Sequence, residues 1–248
     1  MAALDFGGLW TAAAQIVRRE AGLLTPVSGA LLFFPQLLLA WRIGDLTPEM
    51  VRADPEAWRL LLLLVPVVII SIIGQLAIIL LVAGGPDGRG IHTVDALRRA
   101  LSLLVPAIAA SMIQGMAVGF GTLLFILPGF YLMARLVLTI PVLALEGGDP
   151  ILALKKSWHL TEGQGFRILF MLLLLIAGFL LITLVISGLG AALGFVSTVA
   201  AGVPASGWGV GRWVTEIIAT AASTAISVYF LAFITGLYRV LAEPRHAR

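Results

Sequence analysis

Apolar residues in this chain fall into long runs, broken by short polar stretches, rather than into the stripes of amphipathic helices. About 20 apolar residues cross a bilayer as a helix. The first stretch, FGGLWTAAAQIVRRE (6–20), is too short and too charged to span, so it predicts a helix along the interface with Trp10 as aromatic anchor. A first span is predicted over 23–43, interrupted by Pro26 and Pro35. Residues 44–57 hold Asp45, Glu49, Asp54 and Glu56 and read as a solvated loop. A second span over 58–83 stops at Gly84-Gly85-Pro86. Thr93 is the expected cap of a short helix with Asp95 in its first turn and Arg98-Arg99 further on.

The third span is predicted over 103–126, with Pro128-Gly129 as a tight hairpin loop and the fourth span over 130–146. Asp149-Pro150 is a helix start, a capping carboxylate followed by proline at the first helical position. The helix it opens carries Lys155, Lys156 and Trp158. The fifth span is expected over 167–190, ended or bent by Ser187-Gly188 and Gly190. A Gly-rich loop follows over 197–211, then a sixth span over 213–238 and a basic tail. Ala96–Leu101 lines up with Ala153–Trp158, and Ile16–Arg19 is a fainter third copy; each precedes two apolar runs. The expected architecture is all-α and polytopic: six transmembrane helices with three short amphipathic cytoplasmic elbow helices. It forms a single membrane domain over 1–248, with pseudo-repeats at about 6–83, 92–146 and 149–240.

Composition strengthens this picture. Of 248 residues 60% are hydrophobic and 12% charged, and mean hydropathy is +1.07. Soluble domains carry about 25% charged residues. The net charge of +3 does not point to nucleic acid, because the basic residues lie between apolar runs. Eleven of the 16 lysines and arginines fall on one side of the predicted layout and four on the other, with Arg135 between. The positive-inside rule puts the eleven, both termini and all three elbows in the cytoplasm. Cysteine is absent, which excludes disulfides and thiolate metal sites. The N-terminal MAALDFGGLW lacks the basic segment and cleavage site of a removable signal peptide.

Candidate chemistry is sparse. Arg135 is a charge inside a span, which costs at least about 2.5–3.5 kcal/mol on insertion scales and so calls for a partner or water. Glu216 of span six falls at similar depth, and an Arg135–Glu216 pair is expected. It would serve as a site for an anionic group or as a structural ion pair; alternatively Arg135 snorkels to the interface. Gln36, Gln75 and Gln114 fall inside spans one, two and three, lining a polar path or bonding between helices. Gly115 and Gly119 form a GxxxG pattern. Arg18, Arg19, Arg98, Arg99, Lys155, Lys156 and Trp158 are candidate contacts to anionic headgroups, and the same charges would set topology. Hydrolase, zinc-protease, P-loop and dinucleotide motifs are missing, and His92, His159 and His246 are not at metal-ligand spacing. No catalysis, metal or cofactor is expected.

LPGFYLMAR (127–135), Pro141 and LEGGDPILALKKSWHLTEG (145–163) together resemble the YciC-type bacterial inner-membrane proteins and the membrane domain fused to some glycerophosphodiester phosphodiesterases. The resemblance implies a multi-pass inner-membrane protein. The chain leaves no room for a soluble catalytic domain, so phosphodiesterase activity is not among the expectations. The leading expectation is a non-enzymatic accessory or scaffold protein that engages membrane lipids or a partner membrane protein through its elbows and its Arg135 site. The alternative is a carrier for a lipid or small amphiphilic anion. A carrier requires a midplane cavity lined by Gln36, Gln75, Gln114 or Arg135, whereas a scaffold requires tightly packed spans and an exposed docking surface.

Overall fold

The computed structural model describes residues 6–43, 62, 64–84, 90–201 and 210–242. The expected acidic loop at 44–57, the start of span two, Gly85-Pro86 and the basic tail lie outside the described residues. Six stretches are long and apolar enough to cross a membrane: Ala21–Arg42, Leu64–Ala83, Leu104–Leu124, Ile126–Glu146, Gly165–Gly190 and Arg212–Ala242. The protein is therefore an all-helical, multi-pass membrane protein, with no strand among the described residues.

Helix α1 (Phe6–Arg19) leads into the first span, which is built of α2 (Ala21–Ser28), a π-helical turn (Gly29–Phe33) and α3 (Phe34–Ile43). The prolines explain this composite. Pro35 has no N–H to give the Leu31 carbonyl, and its ring crowds that oxygen, so the turn before it widens. Helix α4 (Leu64–Ala83) is apolar on all sides, and every residue from Leu76 to Ala83 is buried, which puts its second half at the centre of the bundle. It stops at Gly84, whose φ of 67° is in the left-handed region.

Helix α5 (Thr93–Ser102) starts one residue earlier than expected, with His92 at the cap position and no side-chain cap bond; Asp95 does lie in its first turn. Helix α6 (Leu104–Leu124) and α7 (Ile126–Leu136) form a hairpin whose turn is Phe125 alone, in extended conformation. The Pro128-Gly129 loop is thus corrected: both residues sit in the first turn of α7, where proline is tolerated because the N–H it lacks has no intrahelical partner. Gly129 is there for close approach. A Cβ at this position would lie 2.7 Å from the Cα of Thr122 on α6.

Helix α8 (Thr139–Glu146) continues the fourth span after a break at Val137-Leu138. Helix α9 (Pro150–Leu160) begins as expected, with the Asp149 carboxylate accepting from the Ile151 N–H at 2.8 Å and Pro150 first in the helix. Helix α10 (Gly165–Ala201) runs straight through Ser187-Gly188 and Gly190, and α11 (Val210–Ala242) begins before the expected end of the Gly-rich loop. That loop therefore shrinks at both ends. A glycine in a helix costs about 1 kcal/mol relative to alanine. An unsatisfied backbone group in hydrocarbon costs several, so the helix persists. Gly190 serves packing instead: a Cβ there would meet the Thr215 side chain of α11.

The three short helices α1, α5 and α9 each precede two spans in chain order. Two of them lean along the bundle instead of lying across its end. The Trp10 ring packs 4.6 Å from that of Tyr229, midway along α11, and the Tyr229 hydroxyl donates to the Trp10 carbonyl at 2.9 Å. The end of α9 reaches Arg135, midway along the fourth span. The ends of α4, α8 and α11 meet on one side, where Arg239 donates to the Ala83 carbonyl and Tyr238 to the Glu146 carboxylate.

Gly129→Ala should force α6 and α7 apart and destabilise the protein by about 1–3 kcal/mol, the usual cost of overpacking. Gly115→Ala, where a Cβ meets nothing within 4 Å, should change stability little. Thermal unfolding of both variants in one detergent compares them directly.

Candidate functional site

The three glutamines expected inside the spans converge. Gln36 of α3, Gln75 of α4 and Gln114 of α6 line one half-open cavity of ≈ 520 Å³, bordered by Val137 and Ile140 on one side and by α10 and α11 on the other. Ser71 joins them because it lies one helical turn before Gln75 on the same face of α4. Ser227 and Tyr229 complete the polar lining; the remainder is apolar, with Leu32, Met133, Leu175, Phe179 and Phe230 among it. Some of these groups are satisfied by protein. Ser223 donates to the Gln36 side-chain oxygen at 3.4 Å, Ser227 to the Ser223 carbonyl at 2.8 Å, and Tyr229 to Trp10. Others are not. The carboxamides of Gln75 and Gln114 and the hydroxyl of Ser71 make no hydrogen bond to any described residue. A smaller space of ≈ 200 Å³ between α10 and α11 shares Phe179 and Ile226 with the cavity.

Arg135 lies elsewhere. Met133 and Val137 face the cavity, while Tyr131 and Arg135, one turn apart, occupy the other face of α7. The cause of the local geometry is Pro141. It cannot donate to the Val137 carbonyl and its ring collides with it, so α7 ends at Leu136 and the carbonyls before the break lose their helical partners. Hydroxyls replace them. Ser157 and Thr161 of the α9 segment donate to the Arg135 carbonyl at 2.9 and 3.1 Å, and Thr139 donates to Leu136 at 2.7 Å. With α9 held there, Trp158 covers the guanidinium, which sits 4.3 Å from its ring centroid and 6.0 Å from that of Tyr131.

The expected Arg135–Glu216 pair is not formed. Arg135 is 4% exposed and has no carboxylate within ion-pair distance among the described residues; Glu216, on α11, is half-buried. The reason is the facing of α7: its arginine side turns toward α9 and the start of α10, and aromatic faces stand in for a counter-ion.

The basic residues divide as well. Lys156 is held by Glu146 at 2.5 Å, beside the Tyr238 hydroxyl. Arg19 meets Glu20 at 3.6 Å. Arg99 is half-buried, with its Nε lacking a hydrogen-bond partner. Arg18, Arg98, Lys155 and Trp158 are exposed. His159 faces Glu162 at 3.7 Å on the surface. Among the described residues no cluster of His, Asp or Glu could hold a metal.

Every feature of the 127–163 motif thus serves one joint: a close-approach glycine, a broken span, hydroxyls on its free carbonyl, a tryptophan on its arginine and a capped return helix. The family model for the membrane domain of glycerophosphoryl diester phosphodiesterase matches residues 105–242. The chain belongs to that family. No curated protein and no solved structure matches it. The match to this phosphodiesterase membrane domain spans α6 to α11 and therefore holds the joint, Gln114 and one wall of the cavity, while Gln36, Gln75 and Ser71 lie before it. The likeness to YciC-type proteins rests on the motif residues alone.

Sequence reasoning missed Ser71, Tyr229, Ser157, Thr161 and the Glu146–Tyr238 bond. A partial signal existed for two of these: a proline inside a span marks a helix break whose neighbouring carbonyls need donors, and a Ser and Thr spaced by four residues on a nearby helix can supply them.

Removing both hydroxyls, Ser157→Ala with Thr161→Ala, should cost about 1–3 kcal/mol by stranding the Arg135 carbonyl. The measurement is thermal unfolding in detergent against each single change. Exchanging charges, Arg135→Glu with Glu216→Arg, should accumulate in membranes no better than Arg135→Glu alone; quantitative blotting of membrane fractions reads this.

Proposed function

We propose that this protein is a non-catalytic carrier or receptor for an amphiphile, residing in a bacterial inner membrane with both termini in the cytoplasm. One observation carries the proposal. Three carboxamides from three different spans meet in a single cavity of ≈ 520 Å³, within the roughly 300–1,000 Å³ range of small-molecule sites. Polar side chains in hydrocarbon are costly unless they serve packing, water or a ligand, and here two of the three carboxamides have no hydrogen-bond partner among the described residues. The lining offers no carboxylate, histidine, lysine or arginine, which leaves a hydrolytic step without an acid or base. The side assigned to the cytoplasm is supported by lysine and arginine counts and by the clustering of the ends of α4, α8 and α11.

A scaffold role has its own supporting observation. Helix α6 is the least buried of the six described spans, and a Cβ added at Gly115 or Gly119 on it would meet no described residue within 4 Å. Such a face suits close contact with lipid or with another transmembrane helix.

The cavity reading is tested by purification in a mild detergent followed by native mass spectrometry. The wild-type protein should retain one lipid-sized adduct, and Ile226→Trp, which puts an indole into the cavity where it adjoins the smaller space between α10 and α11, should retain less of it. Identical adducts on both proteins would remove the basis for a carrier.

A further inference from the structure

We infer that the cavity takes an uncharged amphiphile, one whose head offers hydroxyl or ester groups and whose body is a hydrocarbon chain. The inference rests on the carrier reading above and narrows it to a ligand class.

The cavity's lining decides the charge of what it can hold. Its polar lining is Gln36, Ser71, Gln75, Gln114, Ser227 and Tyr229, and none of these carries a charge at neutral pH. A carboxylate or ammonium placed among them would leave water without gaining a counter-ion, which is strongly unfavourable in a low-dielectric interior. Arg135, the cation that would suit an anion, is on the opposite face of α7 under Trp158. Lys156 and Arg239 are engaged at the end of the bundle, by Glu146 and by the Ala83 carbonyl. The sequence-based alternative of an amphiphilic anion therefore loses its cation.

The lining groups with no hydrogen-bond partner among the described residues are the carboxamides of Gln75 and Gln114 and the hydroxyl of Ser71. Together they supply both donors and acceptors. A hydroxyl gives and accepts at once, and an ester carbonyl accepts, so a glycerol-ester head satisfies all three without charge. The apolar remainder suits a chain. Leu175, Phe179 and Ile226 continue the lining, and the last two also border the smaller space between α10 and α11, which gives a chain room to extend.

The test uses three probes with one oleoyl or oleyl chain: monooleoylglycerol, oleate, and oleyltrimethylammonium. Binding to the full chain in detergent is measured by equilibrium dialysis with radiolabelled probe, and binding to Ile226→Trp is subtracted. Monooleoylglycerol should bind at one per chain, with oleate and oleyltrimethylammonium at least about tenfold weaker. Gln75→Leu and Gln114→Leu should each weaken monooleoylglycerol about tenfold, while elution and thermal unfolding stay as in the wild type. If either charged probe matches monooleoylglycerol in its Ile226-sensitive binding, the uncharged-ligand inference is overturned and the carrier reading stands. If no probe shows Ile226-sensitive binding, both fall. Should a glutamine variant fail to fold, the wild-type ranking of the three probes still decides.

Discussion

Hydrocarbon offers no hydrogen bonds, and this constraint shapes the structure at every irregular point. Where Pro141 interrupts the fourth span, the Arg135 carbonyl would be stranded without the hydroxyls of Ser157 and Thr161. Those two donors draw α9 against the break, and Trp158, between them in sequence, is thereby laid on the Arg135 guanidinium. The helix break at Val137-Leu138, ahead of Pro141, therefore bears on where α9 lies and on how a buried charge is sheltered. The same constraint keeps α10 helical through three glycine or serine positions that would end a helix in water.

That joint separates two chemistries that the sequence alone had combined. An α-helix gives its residues opposite faces within two positions, so Met133 and Arg135 cannot look the same way. With Arg135 turned to the aromatic side, the space at the centre of the bundle is left to neutral amides and hydroxyls. Polarity among the spans is then of two kinds: a buried cation held by π faces, and uncharged amides and hydroxyls lining the cavity.

The number and order of the spans were legible from hydropathy because length and apolarity are one-dimensional properties. The Asp149-Pro150 start was legible because a cap is local. That Gln36, Gln75 and Gln114 fall within spans was legible; that they meet was not, since the rotation of each helix depends on which neighbour it packs against. Arg135–Glu216 failed for the same reason, because depth can be counted along a chain while facing cannot. The Pro128-Gly129 turn failed differently. Turn-forming residues usually mark loops in water, but here glycine supplies contact between α6 and α7 and proline fits a first helical turn.

Family membership bears on the two halves unequally. The matched region contains the whole joint, but only part of the cavity, whose Gln36, Ser71 and Gln75 come from the spans before it. A structural joint can be shared by proteins that hold different ligands, because it concerns backbone satisfaction alone. A cavity assembled partly from α3 and α4 is free to vary while the joint stays constant. The joint is therefore what the motif tags, while the amide lining of the cavity comes in good part from the first two spans.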